Sequence, residues 1–475
     1  MSTPKIHLTS NWLFSLGCLT ILSLFLALRL YRLPQSLLFF NDMGRDFLEL
    51  YEWQTTGLPP LLGPQTSVIS FNQSAVYFYL LYPFYRLTGA SDLASVYALL
   101  TTAVVVFFIG VIYAFNHPLE RRRFLVTAFI LVIHPLVVTQ NRFIWNPSFV
   151  PYFLTAALFV YPRLLHPRPP RGLIHWYAAL VTLAVSFNYS ALPVVLASVL
   201  YGCWIWRRSA GKILGWLAAY VLLWNLPTLL FEIRHQFALS YLFLIGQRTG
   251  LVSQSALTKL SALFTYLGAA PSLAVWLIGV LLLVCIFFTW RFPAASPVRT
   301  YLVLLIIALV ITILLPVAVE AHYLFGFISL LSLLIANLPL PVAAVITLVL
   351  ALTWLRPPLF TGYFKPVVRT LADLNRCYQT FCATHQQPLY VSMQSGLLPY
   401  HNAPEHRYFM LKAGCQALNI AQHQDQAQTM VVVADDSTYE HGQTAYHELT
   451  LFGPSREVEV FTCQDNLRLH LLEKL

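Results

Sequence analysis

The sequence predicts a polytopic α-helical membrane protein of about eleven transmembrane helices with a small α/β domain at its C-terminal end. Three observations carry that prediction. Of 475 residues, 58% are hydrophobic and 10% charged, and the mean hydropathy is +0.65; so little charge cannot cover a soluble globule. The apolar residues gather into runs of roughly spanning length, with the basic residues in short loops between them. From about residue 356 the composition returns to that of an ordinary soluble domain. The net charge of +10 therefore reads as the positive-inside rule, and no nucleic-acid partner is expected.

The first run, 12–30, follows MSTPKIHLTSNW without a clear cleavage site and reads as an anchor. Residues 31–91 form a long first outer loop. It holds the acidic stretch FFNDMGRDFLELYEW (39–53) and the Pro/Gly-punctuated LPPLLGPQTSVISFNQ (58–73). It also holds AVYFYLLYPFYRLTG (75–89), which is Tyr-rich, broken by Pro83, and reads as an interfacial helix. Further spans are expected at about 92–114, 124–140, 147–162, 173–187, 191–206, 213–232, 271–290, 300–318, 322–337 and 338–355.

With the N-terminus inside, this odd count puts every basic loop cluster on the inner side: Arg121, Arg122 and Arg123; Arg163, Arg168 and Arg171; Arg207, Arg208 and Lys212; Arg291 and Arg299. The acidic stretch, Glu232, Glu320 and the 356–475 domain then face outward from a cell (inner or plasma) membrane, leaving 1–355 as the transmembrane domain.

The outer domain reads as helix (366–386), strand (388–393), helix (403–415) and two further strands (429–435 and 457–463). Asp435 and Asp436 at a strand end read as a solvated turn. Cys377, Cys382, Cys415 and Cys463 lie where disulfides are permitted, with three pairings open. Cys18, Cys203 and Cys285 fall in spans as small apolar residues, and no Cys/His spacing resembles a zinc site.

The acidic stretch is the strongest functional signal. Asp42, Asp46, Glu49 and Glu52 are four of the eight acids before residue 356. On a helix, Asp42, Asp46 and Glu49 share one face, while Met43, Phe47, Leu50 and Tyr51 form another that suits a membrane surface. Capping of that helix by Asn41 or Asp42 is the plainer account, but a cap does not call for four acids.

Five segments follow one another in a set order relative to the spans: FFNDMGRDF, LPPLLGPQTS, YFYLLYPFYRLTG, NRFIWNPSFVP (141–151) and FEIRH (231–235). In these, residues 12–355 resemble the GT-C membrane glycosyltransferases that take sugar from a polyprenyl phosphate. Within that class the chain is most similar to the protein O-mannosyltransferase and lipid A aminoarabinose transferase relatives, glycosyltransferase family 39-like. It departs from them at Phe71, Asn72 and Gln73, where Pro or a His/Gly pair is common, and at Asn188-Tyr189, where His-Tyr is common.

The resemblance implies an inverting transfer on the outer face, from a polyprenyl-phosphate sugar to a lipid, glycan or protein acceptor. Such a transfer needs a carboxylate to take the acceptor's proton and cations at the departing phosphate. Asp42 matches the family's loop aspartate and is the implied general base. Asp46 would orient the acceptor, or share a divalent metal if one is used; no other cofactor is implied. Arg45, Arg142, Arg234, His235 and His322 are the candidates for the donor phosphate, with Glu232 and Glu320 orienting them. Tyr77, Tyr79, Asn188 and Tyr189 are the candidates for a substrate groove. The plainer readings are snorkelling at span ends for Arg142 and Arg234, and an aromatic belt for Tyr77, Tyr79, Tyr82 and Tyr85.

Two other functions share the multispan layout. A lipid-sugar flippase or transporter would place ionisable groups near the midplane of two related halves, whereas here the acids cluster at outer span ends and no internal repeat is found. A surface-polysaccharide polymerase or ligase would still be a transferase.

Overall fold

The structure is a computed structural model. It describes residues 5–66, 71–166, 169–206, 210–245, 254–268, 296–356, 364–395, 401–434, 439–463 and 467–475, with single positions at 283, 287 and 362. The expected span 271–290, apart from positions 283 and 287, with Cys285, the loop residues Arg168, Arg207, Arg208 and Arg291, and the Asp435–Asp436 pair lie outside the described residues. The chain packs into two units. A helical unit takes residues 1–31, 60–84 and 93–363, and a sheet unit takes 32–59, 85–92 and 364–475.

The helical unit has the make-up of a polytopic membrane protein. Among the described residues three helices are long and apolar enough to cross a bilayer: Asn11–Leu30, Ala94–Asn116 and Pro297–Leu314. A fourth crossing is open to Ala210–Trp224 with Leu226–Arg234, bent by 67° where Pro227 enters the second helix. Arg171–Phe187, Tyr189–Ile205, Ala321–Asn337 and Leu340–Trp354 are apolar but shorter, so the described helices do not establish a count of eleven.

Proline breaks two of the expected spans. The run 124–140 divides into Arg121–Ile133 and Pro135–Thr139, and His134 Nδ1 accepts the Leu136 N–H at 3.2 Å across the break. The run 147–162 shortens to Val150–Phe159 behind a 3-10 turn at Asn146–Phe149. At the centre lies Leu324–Asn337, buried on all sides and packed against Arg121–Ile133, Val150–Phe159 and Pro297–Leu314. Small and hydroxylated residues allow the close approach. Gly326 faces Val194, and Ser329 Oγ lies 2.8 Å from Thr155 Oγ1. Glu120, beside the Arg121–Arg123 cluster, is ion-paired with Arg123 and with Arg163 (3.3 Å).

The sheet unit contains a five-stranded sheet in the order β2-β1-β3-β5-β4, with β1 Leu389–Gln394, β2 Ala417–Leu418, β3 Thr429–Ala434, β4 Ser455–Thr462 and β5 Arg468–Lys474. Strands β2, β1 and β3 are parallel, and β5 runs antiparallel between β3 and β4. Strand β3, TMVVVA, is buried along its whole length, as a central strand covered on both faces must be. The 366–386 expectation becomes the Leu371–Thr384 helix. A capping box starts it: Thr370 Oγ1 accepts the Asp373 N–H, and Asp373 Oδ2 accepts the Thr370 N–H.

Of the three open cysteine pairings the structure holds Cys377–Cys463 and Cys382–Cys415, which pin that helix to the sheet's edge and to the segment after Pro404–Lys412. Buried Asp92 adds a polar anchor, accepting from Asn375 Nδ2 (2.7 Å), Tyr408 Oη (2.8 Å) and Lys412 Nζ (2.6 Å).

Candidate functional site

The acidic stretch folds as the helix Asn41–Thr56, closed at its C-terminal end by Gly57 in the left-handed region (φ 73°). Its N-cap is Phe40, whose side chain offers no hydrogen bond, so neither Asn41 nor Asp42 is the cap. The apolar face expected on a membrane surface is instead covered by the Pro404–Lys412 helix of the same unit. Phe47 meets Tyr408 edge-on at 5.3 Å, and Tyr51 Oη donates to Leu411 O at 3.2 Å. Gly44 makes that approach feasible, because a Cβ there would sit 2.2 Å from the Glu405 backbone nitrogen.

The polar face gathers Asp42, Arg45 and Asp46. Arg45 donates from Nη1 to Asp42 Oδ1 at 2.7 Å, and from Nε and Nη2 to Asp46 Oδ1 at 3.0 and 2.8 Å. The three side chains differ in exposure: Asp42 31%, Arg45 29%, Asp46 1%. Asp46 is therefore occupied with holding Arg45, while Asp42 keeps an open side. Glu49, further along, is pushed up to about 7 by burial and by Glu52 and Asp46. A guanidinium lies between the two aspartates where a shared metal ion would have to sit, so this pair does not fit a metal site. Among the described residues no group of three His, Cys, Asp or Glu side chains is placed to hold one.

The other sequence candidates lie in the helical unit. Arg142 is buried and donates from Nη2 to Leu28 O (3.0 Å) and Tyr31 O (2.7 Å), closing the end of the first helix. Arg29, which the sequence reading passed over, does similar work: Nε donates to Asn141 Oδ1 at 2.7 Å and Nη1 to Val132 O at 2.5 Å. An arginine near the end of a span was a signal available in the sequence.

Arg234 and His235 are exposed at the end of Leu226–Arg234. Glu232 does not orient them: its oxygens accept the N–H groups of Leu239 (3.1 Å) and Ser240 (3.2 Å), capping Ala238–Ile245. His322 packs edge-on against Trp145 at 5.0 Å, and Glu320 is exposed. Tyr77 is a core residue against Phe149 and Phe187, and Tyr79 Oη donates to Pro60 O at 3.0 Å. Buried Asn188 accepts the Ser190 N–H at 2.9 Å, while Tyr189 Oη donates to Asn72 O at 3.3 Å.

No family model and no curated protein matches the sequence. Two solved structures do match the fold. ArnT from Cupriavidus metallidurans bound to undecaprenyl phosphate superposes with a TM-score of 0.61, and the same protein in the apo state with 0.64. Each comparison covers 98% of this chain and 98% of that one, at 13% identity. The fold is similar to that of ArnT.

The ArnT-like fold extends over the C-terminal residues as well as the span region, further than the resemblance of 12–355 implied. It also contains an acid that the sequence reading missed. Glu405 opens the Pro404–Lys412 helix, is buried, and lies with its backbone against Gly44. Burial and nearby Asp42 push it up to about 7. Nothing local in HNAPEHRYF marks that placement.

Proposed function

We propose that this chain is an integral-membrane glycosyltransferase that moves a sugar from a polyprenyl-phosphate donor to an acceptor on the extracytoplasmic face, with inversion at the anomeric carbon. The observation that carries this reading is the Asp42–Arg45–Asp46 cluster in an ArnT-like fold: a part-exposed carboxylate beside a guanidinium that a buried carboxylate fixes. The donor class is supported by the undecaprenyl phosphate bound to ArnT, itself a polyprenyl phosphate. The two disulfides support an oxidising, outer location for the sheet unit in a cell membrane.

In this reading the acceptor's nucleophilic atom attacks the anomeric carbon while Asp42 takes its proton. The carbon–oxygen bond to the lipid phosphate breaks, and its electron pair leaves on the phosphate oxygen. Arg45, held from behind by Asp46, supplies positive charge and planar N–H donors to that phosphate. Asp46 thus serves Arg45 and not the acceptor. Among the candidates of the helical unit, Arg234 with His235 has the exposure a phosphate ligand needs, whereas Arg142 closes a helix end.

The test is to incubate membranes containing the chain with labelled polyprenyl-phosphate sugars and follow the label. Transfer that depends on Asp42 is expected; label that crosses the bilayer without changing its chemical bond would mark a transporter instead.

A further inference from the structure

Five helices of the helical unit leave a space between them. The first span, Ala94–Asn116, Arg121–Ile133, Val150–Phe159 and Arg171–Phe187 line a cavity of about 320 Å³. Its depth is apolar and buried, at Ala103, Leu131 and Val132. Ile109 and Gly172 also line it and are exposed, so the cavity opens between Ala94–Asn116 and Arg171–Phe187. Exposed Val105, Phe108 and Ile112 share a helical face with Ile109, on a helix long and apolar enough to cross a bilayer. Hydrocarbon therefore stands outside the opening. An apolar void of about 150 Å³ already takes up benzene, and this one is twice that size.

Positive charge gathers at one end of this space. The Arg163 guanidinium, about a third exposed, lies 5.1 Å from the ring of Tyr113, and that of Arg123 lies 5.1 Å from the ring of Phe159. Both rings line the cavity. Arg171 directly precedes Gly172 at the opening, is exposed, and makes no hydrogen bond or ion pair among the described residues. Glu120 pairs with Arg123 and Arg163 and so offsets one of the three charges. The positive-inside rule accounts for arginines at this end of the spans, but not for their seats against the cavity's own rings. Between charge and hydrocarbon comes Thr127, one turn from Arg123 and one turn from Leu131 on the same helix face. Thr127 lines the cavity, and its Oγ1 is buried without a hydrogen-bond partner.

We propose that this cavity binds a membrane phospholipid with an anionic headgroup. Its phosphate lies at Arg163 and Arg171, an ester carbonyl accepts from Thr127, and one acyl chain fills the apolar depth. Cation, hydroxyl and hydrocarbon follow one another along the wall in the order that head, ester and chain follow along such a lipid. The site goes beyond the sugar-transfer reading and does not rest on it. The polyprenyl donor suits the cavity poorly, because that reading puts the donor phosphate at the outer end of the spans and the arginines stand at the other. A chain in the cavity supplies the contacts that five helix surfaces otherwise lack, so the lipid completes the packing of the bundle.

The experiment uses the full chain in phosphatidylcholine nanodiscs containing a phosphatidylglycerol with a diazirine near the end of one acyl chain. Irradiation is expected to label Leu131 and its neighbours in the cavity. Unlabelled phosphatidylglycerol should compete about fivefold better than phosphatidylcholine. At Gly172 an added Cβ meets nothing within 4 Å, so Gly172→Trp can obstruct the opening without a clash. That variant should lower cavity labelling about tenfold, the effect of keeping out about two methylenes. The Arg163→Gln/Arg171→Gln double variant should bring the two phospholipids to parity.

Label confined to Val105, Phe108 and Ile112, and unchanged in Gly172→Trp, overturns the proposal. Equal competition by the two phospholipids in the wild-type chain also overturns it, since the arginines then select no headgroup. Displacement by undecaprenyl phosphate at a lower concentration than phosphatidylglycerol assigns the cavity to a donor tail and overturns it as well. If Gly172→Trp does not fold, the wild-type competition decides alone.

Discussion

Replacing Asp42 with Asn separates chemistry from folding because the structure bounds what folding can lose. The Asp42–Arg45 pair spans 2.7 Å with both side chains about a third exposed, so it is worth at most about 1 kcal/mol after solvent screening. The carboxylate near a helix N-terminus adds about 0.3–1 kcal/mol, part of which Asn retains. Destabilisation should therefore stay below about 2 kcal/mol. Loss of a general base removes roughly two to four orders of magnitude in rate, a barrier increase of about 3–5 kcal/mol. The assay is transfer of labelled sugar from a polyprenyl phosphate, run beside thermal unfolding and donor binding. Near-native unfolding and binding with a collapsed rate is the expected outcome. A well-folded Asp42→Asn chain turning over at the wild-type rate would refute the assignment.

Arg234→Ala should lower donor binding or turnover by roughly one to three orders of magnitude without changing the unfolding temperature, and Lys there should recover part of it; unchanged kinetics would leave Arg234 a surface residue. Arg142→Ala should instead lower the unfolding temperature, because the Leu28 and Tyr31 carbonyls lose a charged donor held in the core. In the sheet unit, Glu405 sits at about 7 against an ordinary 4.5, so the native state holds a proton that the unfolded chain releases. That stabilisation is complete below about pH 4.5 and lost as pH rises through about 7. Buried His406, held down to about 3, works in the opposite direction, so the comparison is between wild type and Glu405→Gln. Between pH 5 and 8 wild type should lose on the order of 3 kcal/mol relative to the variant, read as a wild-type melting temperature that falls relative to that of Glu405→Gln as pH rises. Reporter fusions after residues 210 and 360 should report opposite sides of the membrane; the same side for both would put the span count off by one.

The acidic cluster was legible because acids are rare before residue 356 and helical periodicity aligns Asp42 with Asp46. Strands β1, β3 and β4 were legible as apolar or alternating runs. Strand β5, RLHLLEK, was not: its buried His470 is paired with Glu457 of β4, a partner that local pattern does not reveal. The membrane-surface reading of Met43, Phe47 and Leu50 erred for the same reason. An amphipathic face states that something apolar covers it, and the covering helix lies some 360 residues away. Proline explains the spans that shortened, since Pro135, Pro147 and Pro151 interrupt runs that hydropathy alone reads as continuous.

The distance along the chain between Tyr51 and Leu411 sets a clock on biosynthesis. At roughly 5–20 residues per second, the segment bearing Asp42 leaves the ribosome about 20–70 s before the helix that covers it exists. Through that interval Phe47 has only early neighbours such as Phe39 and Tyr85, and the face that the Pro404–Lys412 helix will cover must be sheltered against lipid or a chaperone. A ribosome that stalls before residue 404 leaves a chain whose Asn41–Thr56 helix still lacks that cover.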